Sequence, residues 1–316
     1  VFFFGMGAAA LLVSATQSPW QLALALALLG CFASIYHPVG IPMLVQGAPR
    51  PGWTIGINGL VGNLGVAAAA VSTGFLVKYF GWRMAFAVPG IVCLVVGVAF
   101  ALLATREQAA PAKKKATSGP APGVSMARLF LVMTIAATSG SLLFNFTTNG
   151  NGPLLAERFA GVMEDPAALG LLLALVYAVA SVAQVVVGHL INRFPLKRFF
   201  MFMVMAQIPM LLLASQAQGW WLFAALIGVM VFIFGAIPFT DFMIARYVDD
   251  RLRSRVSGMR LGVSFAVSSL SVWALGPVVK AMGFGSSLML LAGFSVVTTL
   301  ILTMLPGAAH EQTSPA

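Results

Sequence analysis

The sequence predicts an all-α polytopic membrane protein, and three observations carry that prediction. Of 316 residues, 60% are hydrophobic and 8% charged, with a mean hydropathy of +0.97; a soluble domain carries about 25% charged residues. Apolar stretches close to the roughly 20 residues that cross a bilayer recur along the whole chain. Basic residues gather in the polar interruptions between them, as they do in cytoplasmic loops. The strict apolar–polar alternation of a membrane β-barrel is not seen.

Ten apolar segments follow in order. The first, Phe2–Thr16, opens without an initiator Met or a basic flank, so the chain is expected to start inside a membrane helix and to be a fragment. Ser18-Pro19 turns the chain into Trp20–Gln46, with Trp20 as an interfacial anchor. A loop holding Arg50 leads to the Gly/Ala-rich segment Trp53–Tyr79, where Gly56, Gly59, Gly62 and Gly65 are expected to form a face for close packing. Phe80-Gly81 turns into Trp82–Ala104. The longest polar interruption, Thr105–Arg128, contains Lys113-Lys114-Lys115. Beyond it come Leu129–Gly150, a polar loop Asn151–Pro166, Ala167–Ile191, a basic loop Asn192–Arg198, Phe199–Gln216 and Trp220–Ala245. The arginine-rich loop Arg246–Arg255 precedes Val256–Met282 and Ser286–Leu305. The expected organisation is a first bundle over 1–104, a linker over 105–128, a second bundle over 129–305 and a tail over 306–316.

With 105–128 in the cytoplasm and sides alternating, fourteen of the 18 Lys+Arg fall on the cytoplasmic side, leaving Lys78, Arg83, Arg158 and Lys280 outside. The expected location is therefore a bacterial inner membrane, multi-pass, with the central loop and the C-terminus cytoplasmic. The net charge of +10 is explained by these loops; no face interleaves aromatic and basic residues as a nucleic-acid site would. Cys31 and Cys93 lie within apolar segments and read as small core residues. No Gly-x-x-x-x-Gly-Lys-Ser/Thr loop, metal-ligand cluster or nucleophile–base grouping is present in the sequence. No cofactor, no metal and no enzymatic activity are expected.

Two internal patterns go further. At an offset of 202 residues Gly56 aligns with Gly258, Gly74 with Gly276, Lys78 with Lys280 and Gly81 with Gly283. A repeat on each side of a central basic loop is a transporter design. The loop Gly188-His189-Leu190-Ile191-Asn192-Arg193-Phe194-Pro195-Leu196-Lys197-Arg198 resembles the Gly-x-Leu-x-Asp-Arg-x-Gly-Arg-Arg motif of the major facilitator superfamily. Gly188, Leu190, Arg193, Lys197 and Arg198 fit that pattern, whereas Asn192 replaces the acid and Pro195 the glycine. Phe80-Gly81-Trp82-Arg83 resembles the family's entry into helix six, and Arg251–Gly258 its basic loop before helix eleven. The resemblance implies a major facilitator fold with ten of twelve transmembrane helices present, helices three to twelve. Tyr36-His37-Pro38 is weakly similar to the fosmidomycin-resistance-like branch.

Candidate site residues are the polar groups at membrane depth, which are costly there unless they work. His37 either relays a proton or is held by a neighbouring carbonyl, and Pro38 is expected to kink its helix. Asp241 either couples protons or substrate, or pairs with Arg246 or Arg260 at a gate. Asn145, Thr148 and Asn149 on the fifth segment, and Asn58 and Asn63 on the third, either line a substrate cavity or join helices. Arg260, the repeat counterpart of Asn58, either binds an anion or ends the basic loop. The expected function is secondary transport of a small organic solute by alternating access, as efflux or uptake coupled to protons, by a monomer in the lipid bilayer. The alternative is a non-transporting sensor or scaffold, or an inactive fragment.

Overall fold

The computed structural model describes residues 1–40, 43–44, 51–103, 126–191, 193–247 and 250–305, and within these no strand is formed. The helices are α1 (Phe2–Ala15), α2 (Pro19–Ala33), α3 (Pro51–Phe80), α4 (Met84–Leu103), α5 (Met126–Arg158), α6 (Pro166–Leu190), α7 (Leu196–Gln216) and α8 (Gly219–Tyr247). A last helical run, Asp250–Leu302, is interrupted at Gly283, whose φ of 77° and ψ of 166° are not helical. Gly283 separates α9 (250–282) from α10 (284–302). Among the described residues seven helices are long and apolar enough to cross a membrane, and α1 and α2 are shorter apolar helices. The span within the last run, Gly258–Leu302, has 45 residues. That is about 68 Å of helix, more than twice a bilayer core of about 30 Å, so the break at Gly283 divides it into two passes.

Local chemistry explains most boundaries. Ser18 starts α2 by accepting the Gln21 N–H on its Oγ at 3.3 Å, with Pro19 at the first helical position. Gly81 and Gly283, the repeat partners, share left-handed φ values of 83° and 77°. Only glycine adopts these without strain, which is why both copies of the Lys-x-x-Gly turn end in that residue. Where Pro38 was expected to kink the second segment, a π-helical turn occupies Tyr36–Gly40; such turns are rare and cluster at functional sites. The fifth segment does not stop at Gly150. It continues as helix through Pro153 to Arg158, because Leu154, Leu155 and Phe159 are each no more than 1% exposed and continue its buried stripe.

The chain divides into two compact units, Val1–Lys113 with Asp165–Ala174, and Lys114–Glu164 with Leu175–Ala316. The expected linker (but for 126–128) and the 306–316 tail lie outside the described residues. In the first unit α1 and α4 cross closely at Gly7 and Gly90: a Cβ on Gly7 would stand 2.8 Å from the Gly90 carbonyl oxygen. Arg83 donates from Nη2 to the Thr16 carbonyl at 2.9 Å, a cation closing the C-terminus of α1. Along the glycine run of α3 the surroundings differ from one position to the next. No heavy atom lies within 4 Å of a Cβ built on Gly62 or Gly65. The close approach is at Gly74 instead, where a Cβ would lie 2.5 Å from the Pro166 carbonyl oxygen and 3.1 Å from Gly170 Cα. Beside it Lys78 Nζ donates to Asp165 Oδ2 at 2.6 Å, and Asp165 Oδ1 accepts the Ala167 N–H at 3.2 Å, capping α6. The Lys78 hydrogen bond holds the Asp165 carboxyl below its ordinary value.

The second unit has a continuous apolar core built from Leu129, Met133, Val187, Phe200, Met203, Phe239, Met243 and Leu302. Phe200 and Phe239 stack at 4.8 Å between α7 and α8. Gln207, 4% exposed, donates to the Phe232 carbonyl at 3.2 Å and accepts from Ser295 Oγ at 3.3 Å. One buried amide thus joins α7, α8 and α10.

Candidate functional site

Polar side chains in the second unit divide into two behaviours. Most hydroxyls turn back on their own helix: Thr147 donates to the Leu143 carbonyl, Thr148 to Phe144, Ser181 to Tyr177, Ser287 to Gly283 and Thr299 to Ser295. This is the usual fate of Ser and Thr in apolar helices, since the i−4 carbonyl is the one acceptor always at hand. Besides Ser295 and Thr298 of α10, which also reach Gln207 and Ser139, the exceptions lie along α5 and α9.

Asn145 Nδ2 donates to Ser268 Oγ at 3.0 Å and to the Ser141 carbonyl at 2.9 Å. Further along, a Cβ on Gly150 would lie 3.4 Å from Leu275 Cδ1. Positions rise together on both helices, so α5 and α9 run side by side and parallel. Ser264, Ser268, Ser271 and Leu275 follow the i, i+4, i+7, i+11 spacing of one helix face. Thr134, Thr138, Ser141 and Asn145 follow the same spacing on α5. The buried hydroxyls of Thr134, Thr138, Ser264 and Ser271 have no hydrogen-bond partner among the described residues. Arg260 stands one turn before Ser264 on the same face and is 8% exposed. The result is a stripe of hydroxyls and one amide with a guanidinium at one end, built into a helix–helix seam.

The predicted site residues are distributed as follows. Asn145 is in the seam. Thr148 is half-buried, and its hydroxyl is used within α5, while its carbonyl accepts from Tyr177 Oη at 3.0 Å. Asn149 is exposed and its Nδ2 donates to the Asn145 carbonyl at 2.8 Å. In the first unit Asn58 is half-buried and accepts from Tyr36 Oη at 2.5 Å. Tyr36 opens the π-helical turn, and its ring lies 5.8 Å from that of Phe2. Asn63 is half-buried on α3. His37 lies in the π-helical turn and Asp241 in α8, but their side chains are outside the described residues, as is Asn192 altogether. The family-like loop is structural at one position. Lys197 Nζ donates to the carbonyls of Thr303 at 2.5 Å and Leu305 at 2.7 Å, closing the end of α10. Gly188 and Leu190 end α6, and Arg193 and Arg198 are exposed.

The seam residues Thr134, Thr138, Ser264, Ser268 and Ser271, and Tyr36 beside His37, were missed in the sequence. The i, i+4 recurrence of hydroxyls on two helices was the available signal. Among the described residues no group of His, Cys, Asp and Glu is placed to hold a metal ion.

Repeated apolar helices among the described residues, with polar groups between them, define a polytopic membrane protein. The chain belongs to the major facilitator superfamily: residues 1–160 match the Major Facilitator Superfamily. That membership makes it, at the level of class, a secondary transporter. Solved structures agree on the fold. A bacterial homolog of the human lysosomal transporter Spinster, inward-facing and occupied, superposes with a TM-score of 0.68 at 15% identity over 100% of this chain and 83% of that one. The E. coli fucose:proton symporter FucP gives 0.63 at 11% identity, over 96% of this chain and 81% of that one. The inward-facing, unoccupied form of the Spinster homolog gives 0.62 at 15% identity, over 96% and 79%. No curated protein sequence matches the chain.

Proposed function

We propose that this protein moves a small organic solute across a bacterial cytoplasmic membrane by alternating access between bundles over 1–104 and 129–305, driven by protons. The observation that carries the reading is the half-buried amide–hydroxyl pair Asn145–Ser268 within two apolar helices, beside hydroxyls with no partner among the described residues. Such groups are expensive in a bilayer and face solute pathways or other helices. Asn58, Asn63, Thr148 and Asn149 extend the polar lining in this reading. His37 and Asp241 carry the proton in this reading, and one protein of similar fold, a fucose:proton symporter, is in keeping with that coupling. The central segment and C-terminus are cytoplasmic, the protein acts as a monomer, and Tyr36-His37-Pro38 favours the fosmidomycin-resistance-like branch.

The test is flux in proteoliposomes. A panel of labelled solutes is screened first by counterflow, then with an imposed proton gradient. His37→Gln and Asp241→Asn are expected to retain counterflow and lose gradient-driven accumulation. Accumulation at the wild-type level in both variants removes the proton assignment, and no flux of any solute removes transport.

A further inference from the structure

We infer that the α3–α6 contact is a releasable closure of the transport path, on the side opposite the basic loops, with Lys78 and Asp165 as its fastening pair. The inference deepens the transport reading and rests on it for the word path. It stands on the contrast between two copies of one motif. At the offset of 202 residues both copies keep a glycine, a lysine and a turn glycine: Gly74, Lys78 and Gly81 in the first, Gly276, Lys280 and Gly283 in the second. The two are engaged differently. A Cβ on Gly74 would stand 2.5 Å from the Pro166 carbonyl oxygen, and one on Gly170 would stand 2.7 Å from the Ala70 carbonyl oxygen. A Cβ on Gly276 would meet nothing within 4 Å. Lys78 Nζ reaches Asp165 Oδ2 at 2.6 Å, whereas Lys280 is exposed and makes no ion pair among the described residues. Both turns form, with left-handed Gly81 and Gly283. Neither the close glycine nor the paired lysine is therefore needed to make the turn, and their use in the first copy serves the contact with α6.

The contact is close but lightly fastened. Ala70 and Gly74 of α3 oppose Gly170 and Pro166 of α6, and Lys78 opposes Asp165, so the two helices run antiparallel. At the crossing the atoms nearest each glycine are backbone, an approach that small residues permit. The ion pair stands in water, its side chains 33% and 38% exposed. Exposed pairs contribute little, which suits a contact made and broken in each cycle. Glu164, the neighbouring acid, accepts the Gly161 N–H within its own loop at 3.1 Å, and Asp165 is the acid that meets Lys78. Elsewhere α3 is lightly packed: among its described residues only Ala67 is buried. The compact unit that contains α3 also takes in Asp165–Ala174, which follow the central linker in sequence. Alternating access requires that a contact between the two sequence halves open on one side as the other side closes.

The experiment uses the whole chain in phosphatidylcholine nanodiscs, with Cys31→Ala and Cys93→Ala as the background. Spin labels on Phe80→Cys and Leu171→Cys, native positions that are each 62% exposed, report the α3–α6 separation by pulsed electron spin resonance. Two populations are expected, the shorter one dominant. Lys78→Ala and Asp165→Asn are each expected to raise the ratio of longer to shorter about two- to fivefold, the range of one exposed ion pair. Asp165→Asn keeps a capping side chain, so a shift there belongs to the charge and not to the helix cap. Lys280→Ala, the same change in the unengaged copy, is expected to leave the ratio as it is. If Lys78→Ala does not assemble into discs, Asp165→Asn decides the matter. A single separation in wild type and variants overturns the closure. So does an unchanged ratio in Asp165→Asn, or an equal shift in Lys280→Ala. Counterflow separates the two readings. Solute exchange by a protein whose separation never changes leaves transport standing while the closure falls. A ratio that responds to Lys78 and Asp165, without flux of any solute, leaves the releasable contact standing while transport falls.

Discussion

Replacing Gly283 by alanine tests the break that divides the last 53-residue helical run. At φ 77° and ψ 166° the residue sits in a region that is essentially glycine-only. A Cβ there meets nothing within 4 Å, so the penalty is backbone strain alone, without steric overlap. Residues held in such regions cost about 1–3 kcal/mol. Gly293 is the internal control, because it lies within α10, has no left-handed φ and also meets nothing within 4 Å. There alanine removes the entropic penalty of a helical glycine and is expected to stabilise by about 0.5–1 kcal/mol. The same chemical change is thus expected to move stability in opposite directions, separating the two variants by about 1.5–4 kcal/mol. Denaturant unfolding of the purified protein in micelles, followed by tryptophan fluorescence and extrapolated linearly, measures the gap. Equal stabilities, or a Gly283→Ala protein at least as stable as wild type, would refute the strained turn.

Three further outcomes are expected. A double-mutant cycle over Asn145→Ala and Ser268→Ala should give a coupling of about 0.6 kcal/mol, the mean for interhelical hydrogen bonds in a membrane protein; zero coupling in denaturant unfolding would remove the 3.0 Å bond as a helix–helix contact. Gly74→Ala should destabilise by about 1–3 kcal/mol, the reverse of an ordinary helical glycine, because its Cβ would lie 2.5 Å from the Pro166 carbonyl oxygen; a neutral result in the same unfolding assay removes the close approach. The Lys78–Asp165 pair has a signed pH dependence. Its carboxyl is held below the ordinary value of 3.8 by the Lys78 hydrogen bond, so its contribution is complete above that value and is lost as pH falls through the lower folded value. Hydrogen exchange at the start of α6 should accelerate only at the acidic end, and Asp165→Asn should flatten that response while retaining a capping side chain; an identical pH profile in the variant excludes the pair as its source.

Much of the fold was legible locally. The apolar segments, the Ser18-Pro19 turn, and the paired turns at Gly81 and Gly283 depend on nearby residues or on the bilayer as solvent. Bilayer thickness and backbone sterics act on any sequence in the same way. Where the expectation stopped α5 at Gly150, the glycines and Pro153 were legible, but not the burial of Leu154, Leu155 and Phe159 that carries the helix to Arg158. Which glycine of α3 makes a close approach was hidden for the same reason. Spacing shows that small residues share a face, and only the neighbouring chain shows that Gly74 meets Gly170.

The candidate site divides in the same manner. Composition and hydropathy by themselves determined a helical membrane chain, its basic loops and its scarcity of buried charge. Tertiary structure alone decided that Thr148 turns back on its own helix while Ser264 and Ser271 do not, and that Tyr36 meets Asn58. It likewise decided that Lys197 closes the end of α10 across 106 residues of sequence. A hydroxyl's partner depends on which helix lies opposite, and that follows from packing between segments far apart in the chain rather than from the residues on either side.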